Sequence, residues 1–199
     1  MPAALVLAAG EGKRYGGPKA LVRLGADLLV DRAVRVARKA GCAPVVVVLG
    51  AAADQVVQTA ALDQAVVVIN DDWPTGMGSS LRCGLAAMSD LHAPGVVIFL
   101  VDQPGVGVAT VQRLVSAWRD GARAAVASYE GQPRNPVLLD ASTFAEVAAS
   151  AEGDVGARVW LRAHPEDVRA VACDDLGSDV DIDTPADLDR LRAMEDDTT

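Results

Sequence analysis

The sequence predicts a three-layer α/β domain with an open, mostly parallel sheet and a small mixed-strand insertion. Three observations carry that expectation. Apolar runs of strand length recur along the chain, and segments of helical period lie between most of them. Aromatic residues are only 4% of the total, so Ala, Val and Leu must build the core, as a parallel sheet buried on both faces requires.

The expected elements follow in order. Ala4–Ala8 is the first strand, and a Gly-rich loop leaves it. Asp31–Ala40 carries apolar residues at 33, 34, 36, 37 and 40 and stops at Gly41, which reads as a helix. Val45–Leu49 and Ala65–Ile69 are strands. Ser79–Met88 sets Leu81, Leu85 and Met88 on one helical face. Val96–Val101 is the next strand, and Val108–Trp118 gathers Val108, Val111, Leu114, Val115 and Trp118 on one side of a helix. Ala124–Ala127, Val137–Leu139 and Val168–Ala172 are shorter strands; residues 129–139 and 168–183 break the alternation, so the mixed insertion belongs there. Thr184, Pro185 and Asp187 supply an N-cap, a first-turn proline and a capping-box acid for a last helix with Leu188 and Leu191 inward.

Size and composition narrow the function classes. The chain has 199 residues, which fits one domain over 1–199, with 195–199 expected to fray. Hydrophobic residues at 51% exclude a disordered protein, and no apolar run reaches the roughly 18 residues of a membrane span. The short apolar start lacks a basic leader, and Cys42, Cys83 and Cys173 have no zinc or disulfide spacing, so a reducing cytoplasm is expected. The net charge is −9, a poor match to nucleic acid. Its distribution is uneven: residues 1–40 carry eight basic and three acidic side chains, whereas 174–199 carry ten acidic and two basic. A basic, Gly-rich beginning suits a small phosphorylated ligand.

The loop after the first strand reads Leu7-Ala8-Ala9-Gly10-Glu11-Gly12-Lys13-Arg14-Tyr15-Gly16-Gly17-Pro18-Lys19. Its glycines let backbone N–H groups approach an anion, and Lys13, Arg14 and Lys19 add charge. A Walker A loop needs G-x-x-x-x-G-K-S/T, but Lys13 is followed by Arg14. A dinucleotide fingerprint needs a third glycine where Tyr15 stands. The remaining pattern, L-A-A-G-x-G-x-R-x-G-x-P-K, resembles the signature of sugar-nucleotide and cofactor nucleotidyltransferases.

Further segments resemble one branch of that family, the molybdenum-cofactor nucleotidyltransferases. They are Asn70-Asp71-Asp72-Trp73-Pro74-Thr75-Gly76-Met77-Gly78-Ser79-Ser80-Leu81, Val101-Asp102-Gln103-Pro104, Arg134-Asn135-Pro136-Val137, Gly153-Asp154-Val155-Gly156-Ala157-Arg158 and Asp181-Ile182-Asp183-Thr184-Pro185. The likeness spans nearly the whole chain. Ala9 is similar to the cytidylyl members, where guanylyl members have Gly; Asn135 departs from them, because they often carry His there.

The resemblance implies a Rossmann-like nucleotidyltransferase fold and Mg²⁺-dependent transfer of CMP from CTP to a phosphorylated molybdopterin-type cofactor, with release of pyrophosphate. It implies Arg14, Lys19 and Asp102 as catalytic residues. Leu7, Ala8, Ala9, Gly10, Gly12, Lys19, Asn70, Gly76, Ser79 and Ser80 would hold the nucleotide. Gln103, Arg134, Asn135 and Arg158 would face the acceptor. Asp102 sits where the fourth strand ends, the ligand-binding edge of an open α/β sheet. It is the expected Mg²⁺ ligand, joined by Asp181 or Asp183, with Asp181 favoured and Asp183 also suited to support the Thr184 cap. Asp181 and Asp183, two apart, would share a face if extended. Helix capping alone accounts for one of Ser79 and Ser80. Trp73 is expected beside the nucleotide or as a loop anchor. Partners are then CTP or GTP, the cofactor and a molybdoenzyme, in a monomer or homodimer. The rival readings are GTP or another phosphorylated acceptor, an NAD(P)H-dependent reductase similar to nicotine blue oxidoreductase, and a cofactor-carrying chaperone.

Overall fold

The computed structural model describes residues 1–196; of the expected frayed tail, 197–199 lie outside the described residues, while 195 and 196 continue the last helix. The strands are β1 (Ala3–Leu7), β2 (Arg23–Leu24), β3 (Asp27–Leu28), β4 (Val45–Leu49), β5 (Val66–Ile69), β6 (Gly95–Leu100), β7 (Ala124–Tyr129), β8 (Gln132–Asp140) and β9 (Val168–Ala172). The helices are α1 (Leu29–Lys39), α2 (Ala53–Thr59), α3 (Met77–Asp90), α4 (Val108–Arg119), α5 (Phe144–Ser150), α6 (Arg158–Ala163) and α7 (Pro185–Asp196).

Seven strands form one sheet in the order β5-β4-β1-β6-β8-β7-β9, and β2 and β3 form a separate small hairpin. β1 pairs parallel with β4 and β6, β4 with β5, and β7 with β9. β8 alone runs against its neighbours β6 and β7. It is the mixed insertion that the broken alternation at 129–139 predicts.

Strand alternation sorts the side chains onto two cores. Ala4, Val6 and Ala8 pack with residues of α1, α4 and α7 on one face. Ala3, Leu5 and Leu7 pack with α3, α5 and α6 on the other. Both faces of β1 are therefore covered, which is why its run is apolar at every position. α3 approaches β1 so closely that a Cβ on Gly84 would lie 2.5 Å from two carbons of the fully buried Leu5.

Two expectations about helix ends change. α3 begins at Met77, two residues before Ser79, and neither serine caps it; the carboxylate of Asp154, from a distant segment, accepts from the Met77 N–H at 3.3 Å. At α7, Asp187 reaches back to accept from the Thr184 N–H and hydroxyl, both at 2.8 Å, but among the described residues the Thr184 hydroxyl oxygen accepts no bond from the helix backbone. The box is therefore one-sided, with Asp187 as acceptor in both bonds. Hydrogen bonds from Thr184 and its backbone hold the Asp187 carboxyl below the usual carboxylate range. Among the described residues, no helix is long and apolar enough to cross a membrane.

Candidate active site

The parallel strands β4, β1 and β6 end together, and the chain leaves β1 at that edge. The Ala8 N–H donates to the Val48 carbonyl and the Ala51 N–H to the Ala9 carbonyl, both at 2.9 Å, so the chain continues alongside β4 past the end of β1 before it turns. It then winds about one atom: the N–H groups of Tyr15, Gly16 and Gly17 converge on the Gly12 carbonyl oxygen at 3.0, 2.9 and 3.2 Å. Gly12 has φ +64°, and a Cβ there would collide with the Gly17 carbonyl oxygen, so this turn requires glycine. The winding returns the chain across the edge and delivers Lys19 beside the end of β6.

Lys19 meets two carboxylates there. Its Nζ donates to Asp102 Oδ2 at 2.7 Å and to Asp183 Oδ1 at 2.6 Å. Arg14 reaches the other oxygen of Asp183 at 3.0 Å. The Lys19 side chain is only 15% exposed, against 21% for Asp102 and 33% for Asp183. Burial alone would lower the Lys19 pKa; the hydrogen bonds and charges of Asp102 and Asp183 outweigh it and hold the ammonium above its usual value.

The acid from the C-terminal region is brought in by backbone pairing. The Ile182 N–H donates to the Asp102 carbonyl at 2.9 Å, and fully buried Ile182 anchors the extended segment in the core. Its neighbours therefore turn the other way. Asp183 lines the cavity at the loop with Asp102, whereas Asp181 does not; it accepts instead from Gln103 Nε2 at 2.7 Å. The structure thus joins Asp183 rather than Asp181 to Lys19, and Asp187 takes over the cap support expected of Asp183.

The cavity has a volume of about 730 Å³. Leu7, Ala9, Gly10, Gly12, Arg14, Lys19, Gly76, Ser80 and Asp102 of the expected site line it. Ala8 faces the other core, and Asn70 and Ser79 stand behind the wall. Buried Asn70 donates to Ser79 Oγ at 2.9 Å and Ser80 Oγ at 3.0 Å, so it fixes the first turn of α3 from the protein side. Lys13 points to solvent and pairs with Glu11.

A second cavity of about 500 Å³ adjoins the first, sharing Leu7, Met77 and Leu100 with it. Arg134, Asn135 and Arg158 of the expected acceptor side line it, together with Arg162; Gln103 does not. Arg134 is partly engaged, donating to Asp179 at 2.9 Å. The remaining wall is largely apolar, with Leu81, Ile98, Val126, Val137 and Leu161.

Trp73, expected beside the nucleotide or as a loop anchor, lines the first cavity and also stands on Gly50, where a Cβ would lie 2.6 Å from its side chain. Sequence reasoning did not assign Asp154 to this wall. Asp154 enters from residues 151–154, which dock on the start of α3 through Gly78 N–H to Gly153 O at 2.7 Å and Arg82 to Ala151 O. Gly76 and Gly78 were the available signal, since a Cβ on either would strike that segment.

Comparison with known proteins gives consistent likenesses. Residues 4–168 match the MobA-like NTP transferase domain. Nicotine blue oxidoreductase of Paenarthrobacter nicotinovorans is 41% identical over 195 residues, 94% of each chain. A probable molybdenum cofactor guanylyltransferase of Opitutus terrae is 34% identical over 129 residues, 65% of this chain and 61% of the relative. The crystal structure of Rv0371c from Mycobacterium tuberculosis H37Rv in complex with manganese superposes with a TM-score of 0.80 at 31% identity, covering 96% of this chain and 97% of the other.

Proposed function

Because this chain belongs to the MobA-like NTP transferase family, and so to the nucleotidyltransferase enzymes, we propose that it transfers CMP from CTP to a phosphorylated molybdopterin-type cofactor in the cytoplasm, with Mg²⁺. The observation that carries the reading is the Lys19 bridge between Asp102 and Asp183 at the mouth of the Gly-rich loop. Transfer joins two anions: an oxygen of the acceptor phosphate bonds to the α-phosphorus of the triphosphate, and the bond to pyrophosphate breaks. Catalysis then depends on neutralising charge and holding the partners in line, with no protein nucleophile.

The residues present fit a divalent cation. Asp102 and Asp183 already share one cationic atom, and Mg²⁺ favours one or two carboxylates with phosphate oxygens and water. Asp102 and Asp183 would hold it, and when bound it supplies positive charge at the reacting phosphate. Lys19 and Arg14 bind the triphosphate and the departing pyrophosphate. Gly10 and Gly12 bring backbone to the phosphates, while Ser80, Trp73 and Met77 wall the nucleoside side. Ala9, at 5% exposure in that wall, narrows the space for a base and so favours a pyrimidine. The adjoining cavity, lined by Arg134 and Arg158, takes the acceptor, whose phosphate reaches the first cavity past the shared residues Leu7, Met77 and Leu100.

Pyrophosphate release measured with CTP, GTP, ATP and UTP, with and without the molybdopterin-type acceptor, tests the reading. CTP is expected to be preferred and the acceptor required. Ala9→Gly should then raise GTP use relative to CTP. Equal use of CTP and GTP by the unaltered protein removes the cytidylyl assignment and leaves the transfer chemistry. A second reading, NAD(P)H-dependent reduction, is favoured by the relative named nicotine blue oxidoreductase. NADH and NADPH oxidation assays beside the first separate the two.

A further inference from the structure

At the mouth of the first cavity, charge is paired before any ligand arrives. Arg14 and Lys19 contribute two positive charges and Asp102 and Asp183 two negative ones, linked in a chain of contacts within 3.0 Å: Arg14 to Asp183, Asp183 to Lys19 and Lys19 to Asp102. The other acids lining this cavity are engaged elsewhere: Glu11 with Lys13 at 2.6 Å, and Asp154 with the start of α3. Resting on the reading of this cavity as the nucleotide site, we propose that Lys19 is the resident counter-ion of the Asp102–Asp183 pair, so that a divalent cation and a polyphosphate enter only together.

Each ligand alone meets an obstacle. A divalent cation that takes both carboxylates must strip Lys19 of two charge-assisted hydrogen bonds and leave a largely buried ammonium without an acid. A polyphosphate that draws Lys19 and Arg14 away leaves two bare carboxylates facing an approaching polyanion. When both arrive, the cation replaces Lys19 on the carboxylates, and Lys19 and Arg14 turn to the phosphates. All four side chains remain paired. Lys19 is thus the element that two ligands bias in the same direction, and the coupling between them is reciprocal.

The test is the affinity for Mn²⁺ alone, read from the paramagnetic resonance of free Mn²⁺, in unaltered protein, Lys19→Met and Lys19→Arg. Lys19→Met is expected to bind Mn²⁺ at least about tenfold more tightly, because the competing cation is gone. Lys19→Arg keeps the charge and should bind as weakly as the unaltered protein. Equal affinity in all three overturns the proposal, and so does an equal gain in both variants, which would come from reshaping rather than charge. A second measurement uses unaltered protein and does not depend on a variant folding. The Lys19 ammonium, assigned in lysine-selective NMR spectra, should keep its signal with millimolar Mg²⁺ alone and lose it with Mg²⁺ plus CTP. Loss with Mg²⁺ alone overturns the proposal. If no nucleotide with Mg²⁺ moves the signal, the nucleotide-site reading falls and the proposal with it; the Mn²⁺ series judges Lys19 independently.

Discussion

Exchange of Asp102 for Asn keeps the shape of the side chain and removes one of the two charges that hold Lys19. The lost interaction matters most where charge develops on the transferring and leaving oxygens, so it should appear in turnover. Asp102→Asn is expected to fold with little change in Tm and to lose about 100-fold or more in turnover at saturating nucleotide and Mg²⁺. Unchanged turnover across a Mg²⁺ titration would remove Asp102 from the site. Asp181 behaves differently. Burial of its carboxyl beside Gln103, followed by the charges of Asp102 and Asp183, lifts its pKa above the ordinary 3.8, against the hydrogen bond from Gln103 and the charge of Lys19. A carboxyl whose pKa is raised on folding favours the fold below its ordinary pKa, and that contribution is lost as pH rises through the folded value. Asp181→Asn, which can still accept from Gln103, should therefore raise Tm at neutral pH, with the gain vanishing below the ordinary carboxylate range. Thermal unfolding across that range checks it; a lower Tm at neutral pH would mean that the charge of Asp181 is itself stabilising.

α3 shows how tightly an element can be specified by what it lacks. Gly84 faces Leu5 in the central strand, and a methyl group there has nowhere to go. Gly84→Ala should cost about 1–3 kcal/mol by overpacking, despite the better helix propensity of Ala. At roughly 2–4 °C per kcal/mol for a chain of this size, the loss is readable in a thermal melt; an unchanged Tm would show that α3 shifts freely over β1. The legibility of elements in the sequence follows similar physics. β1, β4 and β6 are apolar at every position because they are covered on both faces, so their runs stand out. Only Val137–Leu139 of β8 is legible as a strand, because its first half, Gln132–Asn135, is polar, lines the open second cavity and contains Pro133. α2, α5 and α6 have seven, seven and six residues, too few to display a period, and α2 starts from Ala52 in a left-handed conformation that alanine does not advertise. The loop, Lys19 and Asp102 were legible as a spaced pattern. The choice of Asp183 over Asp181 was not, because both flank the buried Ile182 and turn away from the core together, and what separates them is a partner distant in sequence: Gln103 takes Asp181 and Lys19 takes Asp183.

At the scale of the whole molecule, ligand binding should be visible as stability. A ligand held at about 100 times its Kd stabilises the folded state by about 2.7 kcal/mol. For this chain that is a rise in Tm of roughly 5–10 °C. With Mg²⁺ present, CTP is expected to give a larger rise than GTP, ATP or UTP at equal concentration, and thermal melts with each nucleotide measure the ranking. Flat melts for all four would place the nucleotide elsewhere. The contacts that define the site also have a history in time. Lys19 is joined to one partner 83 positions onward and to another 164 positions onward. On a ribosome adding about 5–20 residues per second, the basic loop is made roughly 8–30 s before Asp183 exists. During that interval Arg14 lacks the acid it later contacts, and the emerging chain carries the eight basic side chains of its first forty residues without the acidic stretch that offsets them. The first forty residues thus emerge as a cation beside polyanionic ribosomal RNA, the chain is close to neutral by residue 173 with 16 basic and 17 acidic side chains, and the last acidic stretch is what makes the finished protein strongly anionic.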